Sequence, residues 1–162
     1  MLPRVDVTKM LTGVTQVGDE PVFDVSYAIA LRNTSEAAAP NVQVTDDLAA
    51  TFAPGAPGIT VVSGPSIESG NASLTLATGG NRSTAPPRSA MLAGSDTMPP
   101  GTESRIGFTV RVRYESGASV PVGVDLNNSA ISTTSVTPAG VVITRDESTD
   151  VDRLGCAAAG RR

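Results

Sequence analysis

A lysine, an aspartate and an asparagine each have the parity of the apolar residues in an alternating run. They are Lys9, Asp46 and Asn128, in the runs at residues 4–9, 41–48 and 124–132. A buried lysine favours its neutral, nucleophilic form, and a buried carboxylic acid stays protonated and polarises an amide carbonyl. If the three side chains meet, the lysine amine displaces ammonia from the asparagine amide. The product is an intramolecular isopeptide bond between the first strand and a late strand.

Each of these residues also has an ordinary structural role open to it. Lys9 stands at the end of its run and can extend its ammonium group into water. Asp46 can cap a turn, and Asn128 can satisfy backbone groups. Because parity alone does not bring the three side chains together, the cross-link is a hypothesis at this stage.

A second hypothesis is a calcium site at the acidic end of the chain. The run at 145–152 (RDESTDVD) supplies Asp146, Glu147, Asp150 and Asp152, and Asp46 with Asp47 forms a smaller pair. Carboxylate oxygens are calcium ligands, but the run lacks the glycine and the regular spacing of an EF-hand loop. The alternative is a solvated acidic linker. Apart from calcium, no metal and no cofactor is expected.

The sequence predicts a protein that is not an enzyme and has no catalytic residues. It contains no histidine, which is the commonest general base and metal ligand. A glycine-rich phosphate loop, a GxSxG motif and paired metal-ligand spacing are also missing. Cys156 is the one cysteine, so it cannot form an internal disulfide, and it lies in a terminal stretch that offers no partner base.

Charge and hydropathy exclude two classes of partner. The net charge of −4 argues against nucleic-acid binding and against electrostatic attachment to a membrane surface. No apolar stretch approaches the length of a membrane span, so membrane insertion by this chain is not expected. The first residues, MLPRVDVTK, lack the apolar core of a signal peptide. An export signal and an anchor would therefore have to lie in sequence outside this chain.

The dominant hydrophobic period is two, which is the period of a half-buried β-strand. In the run at 105–114 (RIGFTVRVRY) apolar residues alternate with arginines, and the run at 22–32 behaves in the same way. Shorter alternating runs lie at 4–9, 41–48, 59–63, 73–77, 124–132 and 140–144, with turn residues between them. This pattern predicts an all-β protein, an immunoglobulin-like antiparallel β-sandwich of seven or more strands. It would occupy residues 1–150, with a disordered tail or linker at 151–162.

Several segments resemble the conserved-repeat β-sandwich domain of bacterial surface proteins, domain of unknown function eleven. They are VDVTK (5–9), GDEPVFDVSYAIALRNTS (18–35), APNVQVTDDLAATFAPGA (39–56), LAGSDTMPPGTES (92–104) with the following strand (105–114), NNSAIS (127–132) and TRDESTD (144–150). The resemblance implies an extracellular or cell-surface location and an immunoglobulin-like fold. It also implies neighbouring domains within a larger surface protein, and no catalytic residues.

Two functions fit these observations. The first is a non-catalytic structural spacer module of a secreted or surface-attached protein, stiffened by the isopeptide bond. The second is an adhesive module that contacts a carbohydrate or a protein through loops at one end of the sandwich. Aromatic residues make up only 3% of the chain, which weakens the second, because aromatic side chains anchor most interfaces. The sequence names no ligand.

Overall fold

The computed structural model describes residues 2–19, 21–46, 58–77, 89–115, 126–137 and 140–152. Of residues 89–90, 126–128 and 148–152 it describes the backbone alone. All the regular secondary structure among the described residues is β-strand, as the alternating pattern predicts. The strands are β1 (Val5–Gln16), β2 (Val22–Asn33), β3 (Gln43–Asp46), β4 (Gly58–Gly70), β5 (Ser89–Ala90), β6 (Glu103–Arg113), β7 (Leu126–Ser135) and β8 (Val142–Asp152).

The strands form two four-stranded antiparallel sheets. The first sheet has the order β1-β2-β6-β4, and the second has the order β5-β3-β7-β8. An immunoglobulin constant-type sandwich places its first, second, fifth and fourth strands in one sheet, and its third, sixth and seventh in the other. The same order appears here once β5 is treated as a short addition beside β3. The prediction of an immunoglobulin-like antiparallel sandwich is therefore confirmed.

The core lies between the sheets and is built by the two long central strands of the first sheet. On β2 the buried residues include Phe23, Val25, Tyr27, Ile29 and Leu31, and on β6 they include Ile106, Phe108, Val110 and Val112. The rings of Tyr27 and Phe108 lie 5.3 Å apart between centroids. Because side chains alternate between the faces of a strand, the residues between them form the outer face of the sheet. The predicted parity of both strands is confirmed.

Tyr114 follows β6 and continues its inward parity. Its side chain is buried, and its hydroxyl group has no hydrogen-bond partner within the part of the chain that the structure describes. Burial raises the pKa of Tyr114 to about 12, because removal from water disfavours the phenolate. Tyr114 is therefore a neutral core residue at physiological pH.

Several predicted strands differ in extent from the structure, and the run at 4–9 is only the beginning of β1, which continues to Gln16. The run at 73–77 forms one isolated bridge, between Leu76 and Leu92, in place of a strand. The run at 59–63 is part of the much longer β4, and the run at 140–144 is the beginning of β8, which continues to Asp152. The acidic stretch at 145–152 is thus strand rather than linker.

The predicted tail at 151–162 begins within β8, which ends at Asp152. The rest of it, including Cys156, lies outside the described residues, as does Asp47. The predicted domain boundary near residue 150 therefore stays a prediction. Among the described residues, no helix has the length and hydropathy that crossing a bilayer requires.

Candidate functional site

Lys9 and Asp46 come together in the core between the two sheets. Lys9 lies on β1 in the first sheet, and Asp46 is the last residue of β3 in the second. The Lys9 Nζ atom contacts the Asp46 Oδ2 atom, and both side chains have 0% exposure. Lys9 does not extend into water, because its inward position on β1 aims the side chain across the core. The pair therefore joins the first strand to a strand of the opposite sheet.

The surroundings of the pair are apolar and aromatic. Lys9 is the register partner of Ile29 on β2, and its Nζ atom lies 4.4 Å from the centroid of the Tyr27 ring. Desolvation favours the neutral amine and the neutral carboxylic acid, whereas mutual attraction and the ring face favour the charged pair. A proton that moves between the two side chains converts one state into the other. The pair can therefore present a nucleophilic amine beside a protonated acid.

Asn128 lies on β7, close to this pair in the register of the second sheet. Asp46 is the register partner of Ala130, and Asn128 lies two residues before Ala130 on the same strand. Asp46 and Asn128 are therefore diagonal neighbours, a spacing of about 7–8 Å that long side chains bridge. The Asn128 side chain is outside what the structure describes, so the third member of the site is placed by its backbone alone.

Four acidic residues of the calcium hypothesis lie along β8, and the two whose side chains the structure describes, Asp146 and Glu147, have separate partners. The Asp146 carboxylate accepts a hydrogen bond of 2.9 Å from the Val7 backbone N–H of β1. Glu147 pairs with Arg145 at 3.1 Å. No group of three or more potential metal ligands occurs among the described residues. The side chains of Asp150 and Asp152 are not described, so the calcium site stays an untested prediction.

Two polar residues beside Asp146 escaped the sequence analysis. The Ser132 hydroxyl donates a hydrogen bond to the Val5 carbonyl group of β1, and the Thr144 hydroxyl donates to the carbonyl group of Pro3, just before β1. Tyr27, which contacts the Lys9 amine, shows in the sequence only the inward parity of a core residue. A signal for Ser132 was available, because Ala130, Ser132 and Thr134 alternate with inward parity although two of them are polar. Polar residues at inward positions of a strand indicate buried hydrogen bonds.

The outer face of the first sheet carries ordered ion pairs. Arg111 on β6 and its register partner Asp24 on β2 form two hydrogen bonds, of 2.7 Å and 3.0 Å. These bonds and the guanidinium charge hold the pKa of Asp24 below its usual value. Arg105 pairs with Glu68 of β4 at 3.2 Å. These arginines therefore form a solvated face with cross-strand partners, as their outward parity predicts.

A groove of about 500 Å³ crosses one end of this outer face. Charged groups from three strands line it, among them Asp6, Arg32, Glu103 and Arg105, and hydroxyl groups of Thr8 and Ser69 complete the wall. The charges of both signs lie side by side, since Asp6, Arg32 and Glu103 are successive register partners. The groove offers polar contacts and no net charge of one sign.

Comparison with known proteins assigns no family to the chain. No family model matches it, and no curated protein matches it. The resemblance to the conserved-repeat domain therefore remains an inference from the sequence segments given above.

Several solved structures are similar to this chain at low sequence identity. One is BcpA, the major pilin subunit of Bacillus cereus, with 16% identity and a TM-score of 0.46 over 91% of this chain and 39% of BcpA. Another is BslA, described as a bacterial hydrophobin, with 12% identity and a TM-score of 0.40 over 93% of this chain and 95% of BslA. A third is an inactive mutant of a GH20 exo-β-N-acetylglucosaminidase from Vibrio harveyi, with 11% identity and a TM-score of 0.41 over 89% of this chain and 17% of the enzyme.

The chain spans about 39% of the length of BcpA, so it corresponds to only part of that pilin. The three proteins differ widely in function, and all three TM-scores lie below 0.5. These similarities therefore assign no function to this chain.

Proposed function

We propose that this chain is a non-catalytic structural spacer module of a secreted or surface-attached bacterial protein, stiffened by an isopeptide bond between Lys9 and Asn128. The observation that carries the proposal is the fully buried contact between Lys9 and Asp46. A spacer seldom buries an isolated ion pair for stability alone, because desolvation often outweighs the attraction. A chemical role for the pair explains why it is there.

The proposed reaction needs only the three side chains. The neutral Lys9 amine attacks the Asn128 side-chain carbonyl carbon, and the protonated Asp46 carboxylic acid polarises the carbonyl oxygen. The new amide C–N bond forms as the bond to the asparagine nitrogen breaks. The amine proton passes to the departing nitrogen through the Asp46 carboxyl group, and one molecule of ammonia leaves. Asp46 ends the reaction in the protonation state in which it began.

The direction of the strands supports a spacer. Pro3 is hydrogen-bonded to Thr144 near the start of β8, and Val7 is hydrogen-bonded to Asp146, two residues further along β8. β1 and β8 therefore run in the same direction. β1 therefore starts towards one end of the sandwich and β8 ends at the other, about 23 Å further along, because Val5 lies level with Arg145 and Asp152 is seven residues beyond it. Neighbouring domains attached before β1 and after β8 would extend in opposite directions, which suits a string of modules.

The cross-link is tested by intact mass spectrometry of the denatured protein. We expect a mass below that of the sequence by one ammonia molecule. Trypsin should then yield peptide 5–32 joined to peptide 114–145, because the modified Lys9 is no longer cleaved.

Matched variants make this test specific. Asn128→Ala and Asp46→Asn should show the full mass of their sequences, whereas Asn127→Ala, which alters the neighbouring asparagine, should retain the loss of ammonia. A folded protein that keeps its full mass after prolonged incubation, with no joined peptide, would contradict the proposed bond.

The extracellular setting is tested separately, by fractionating the producing cells and blotting with an antibody to this chain. We expect a band larger than the chain in the cell-wall, outer-membrane or medium fraction, because neighbouring domains are part of the proposal. A band of the size of this chain in the cytosol would overturn both the location and the spacer role.

A further inference from the structure

We infer that Ser132, Thr144 and Asp146 form a shear clamp that holds β1 against β7 and β8 when the two ends of the sandwich are pulled apart. The inference takes its biological setting from the proposed spacer function. The clamp itself is a physical property of the fold and does not depend on formation of the isopeptide bond.

The clamp consists of three hydrogen bonds between side chains of β7 and β8 and the backbone of β1 and of Pro3, which lies just before it. The Thr144 Oγ1 hydroxyl donates to the Pro3 carbonyl oxygen at 2.6 Å, and the Ser132 Oγ hydroxyl donates to the Val5 carbonyl oxygen at 2.7 Å. The Val7 N–H group donates to the Asp146 Oδ2 atom at 2.9 Å. The bonds follow one another along β1.

β1 needs such partners because it is an edge strand of the first sheet. An edge strand presents a row of backbone groups that no neighbouring strand satisfies. Side chains of the opposite sheet satisfy two of these backbone groups on β1, at Val5 and Val7, and a third on the preceding Pro3. This arrangement joins the two sheets along one side of the sandwich.

The clamp residues are held rigidly by their own strands. Ser132 and Asp146 are register partners in the β7–β8 pair, as are Thr134 and Thr144. Because Thr144 gives its one hydroxyl proton to Pro3, the buried Thr134 is the donor in the 3.0 Å bond between the two threonines.

The direction of the strands determines how tension loads these bonds. β1 and β8 run in the same direction, so tension on the start of β1 and the end of β8 slides one strand past the other. The bonds are then loaded together instead of opening one after another. A hydrogen bond to a charged group, such as the Asp146 carboxylate, contributes more to stability than one between neutral groups.

The position of the clamp complements the proposed cross-link. A bond from Lys9 to Asn128 prevents tension from extending the chain between them. It leaves the segment before Lys9 and the whole of β8 to bear the load. The clamp joins these two unprotected segments, since its partners lie at residues 3–7 on one side and 132–146 on the other.

The test is force-clamp spectroscopy on this chain held between marker domains at its two ends. Thr144→Val removes the donor without changing the shape of the side chain, and we expect a rupture rate at fixed force about tenfold above wild type. Thr144→Ser retains the hydroxyl group and should restore a rate close to wild type. Ser132→Ala should raise the rate in the same way as Thr144→Val.

A matched control removes a similar bond elsewhere. Ser26 and Thr109 share a 2.8 Å hydroxyl bond between β2 and β6, on the outer face of the first sheet and away from Pro3, Val5 and Val7. Thr109→Val should therefore leave the rupture rate unchanged. Equal rates for Thr144→Val, Ser132→Ala and Thr109→Val would overturn the clamp.

The same recordings separate the clamp from the cross-link. A cross-linked chain cannot release the segment between Lys9 and Asn128, whereas Asn128→Ala releases about 400 Å more chain. Full extension of the wild type would overturn the cross-link and leave the clamp result valid, because the clamp variants are also compared in the Asn128→Ala background.

Discussion

Asn128→Ala is expected to unfold at a temperature about 10–20 °C below that of the wild-type protein. The proposed bond closes a loop of about 120 residues. A covalent cross-link over such a loop lowers the conformational entropy of the unfolded chain, which stabilises the folded state by about 5 kcal/mol. Loss of the bond restores that freedom to the unfolded state. Differential scanning calorimetry of protein whose mass has been checked beforehand measures the effect.

Two comparisons isolate the bond from the asparagine side chain. Asn127→Ala removes the adjacent asparagine, which has the opposite parity on β7, and should shift the melting temperature by only a few degrees. Asp46→Asn should block bond formation while Asn128 stays in place, and should therefore also lose the stabilisation. A melting temperature for Asn128→Ala within a few degrees of wild type would argue that no bond contributes to stability.

The arrangement of the long strands was predictable because side chains alternate strictly along a strand. On β6, Ile106, Phe108, Val110 and Val112 are buried and Arg111 faces outward, as the alternation requires. Lys9 and Asp46 have the parity of their apolar neighbours and are buried with them. Parity could not show that they meet, because their contact depends on how the two sheets pack, and the residues are 37 positions apart.

The limits of a strand were less predictable where turn-forming residues occur within a strand at the edge of a sheet. Gly64 and Pro65 mark a turn in the sequence, yet β4 continues through them. An edge strand tolerates proline because one row of its N–H groups has no partner to lose. Among the described strands β4 pairs with β6 alone, and it accommodates the interruption through register shifts between Val61 and Ile67.

The role of β8 was hidden by its composition. The run from Arg145 to Asp152 is acidic and polar, which is typical of a linker. In the fold, Thr144 and Asp146 face the backbone of β1 and are satisfied there. A polar inward face is stable only when such partners exist, and the partners belong to a strand more than a hundred residues away. No local pattern carries that information.

The second large effect is expected when one partner of the buried pair of Lys9 and Asp46 is replaced by an apolar residue. In the Asn128→Ala background, where no cross-link forms, Lys9→Met should lower the free energy of unfolding by about 3–5 kcal/mol. Methionine keeps the length of the side chain, so the loss comes from the Asp46 carboxylate, which remains in the core without the amine. Denaturant unfolding measures the difference, provided that the free energy of unfolding depends on denaturant concentration with the same slope in both proteins.

The double replacement Lys9→Met with Asp46→Leu should recover most of this loss, because two apolar side chains need no compensation for desolvation. A pair kept for stability would instead make the double variant as weak as the single one. Recovery would mean that the charged pair contributes little net stability at this position. Its retention in the core would then be explained by the chemistry of the amine and the acid, which is the role that the cross-linking reaction assigns to them.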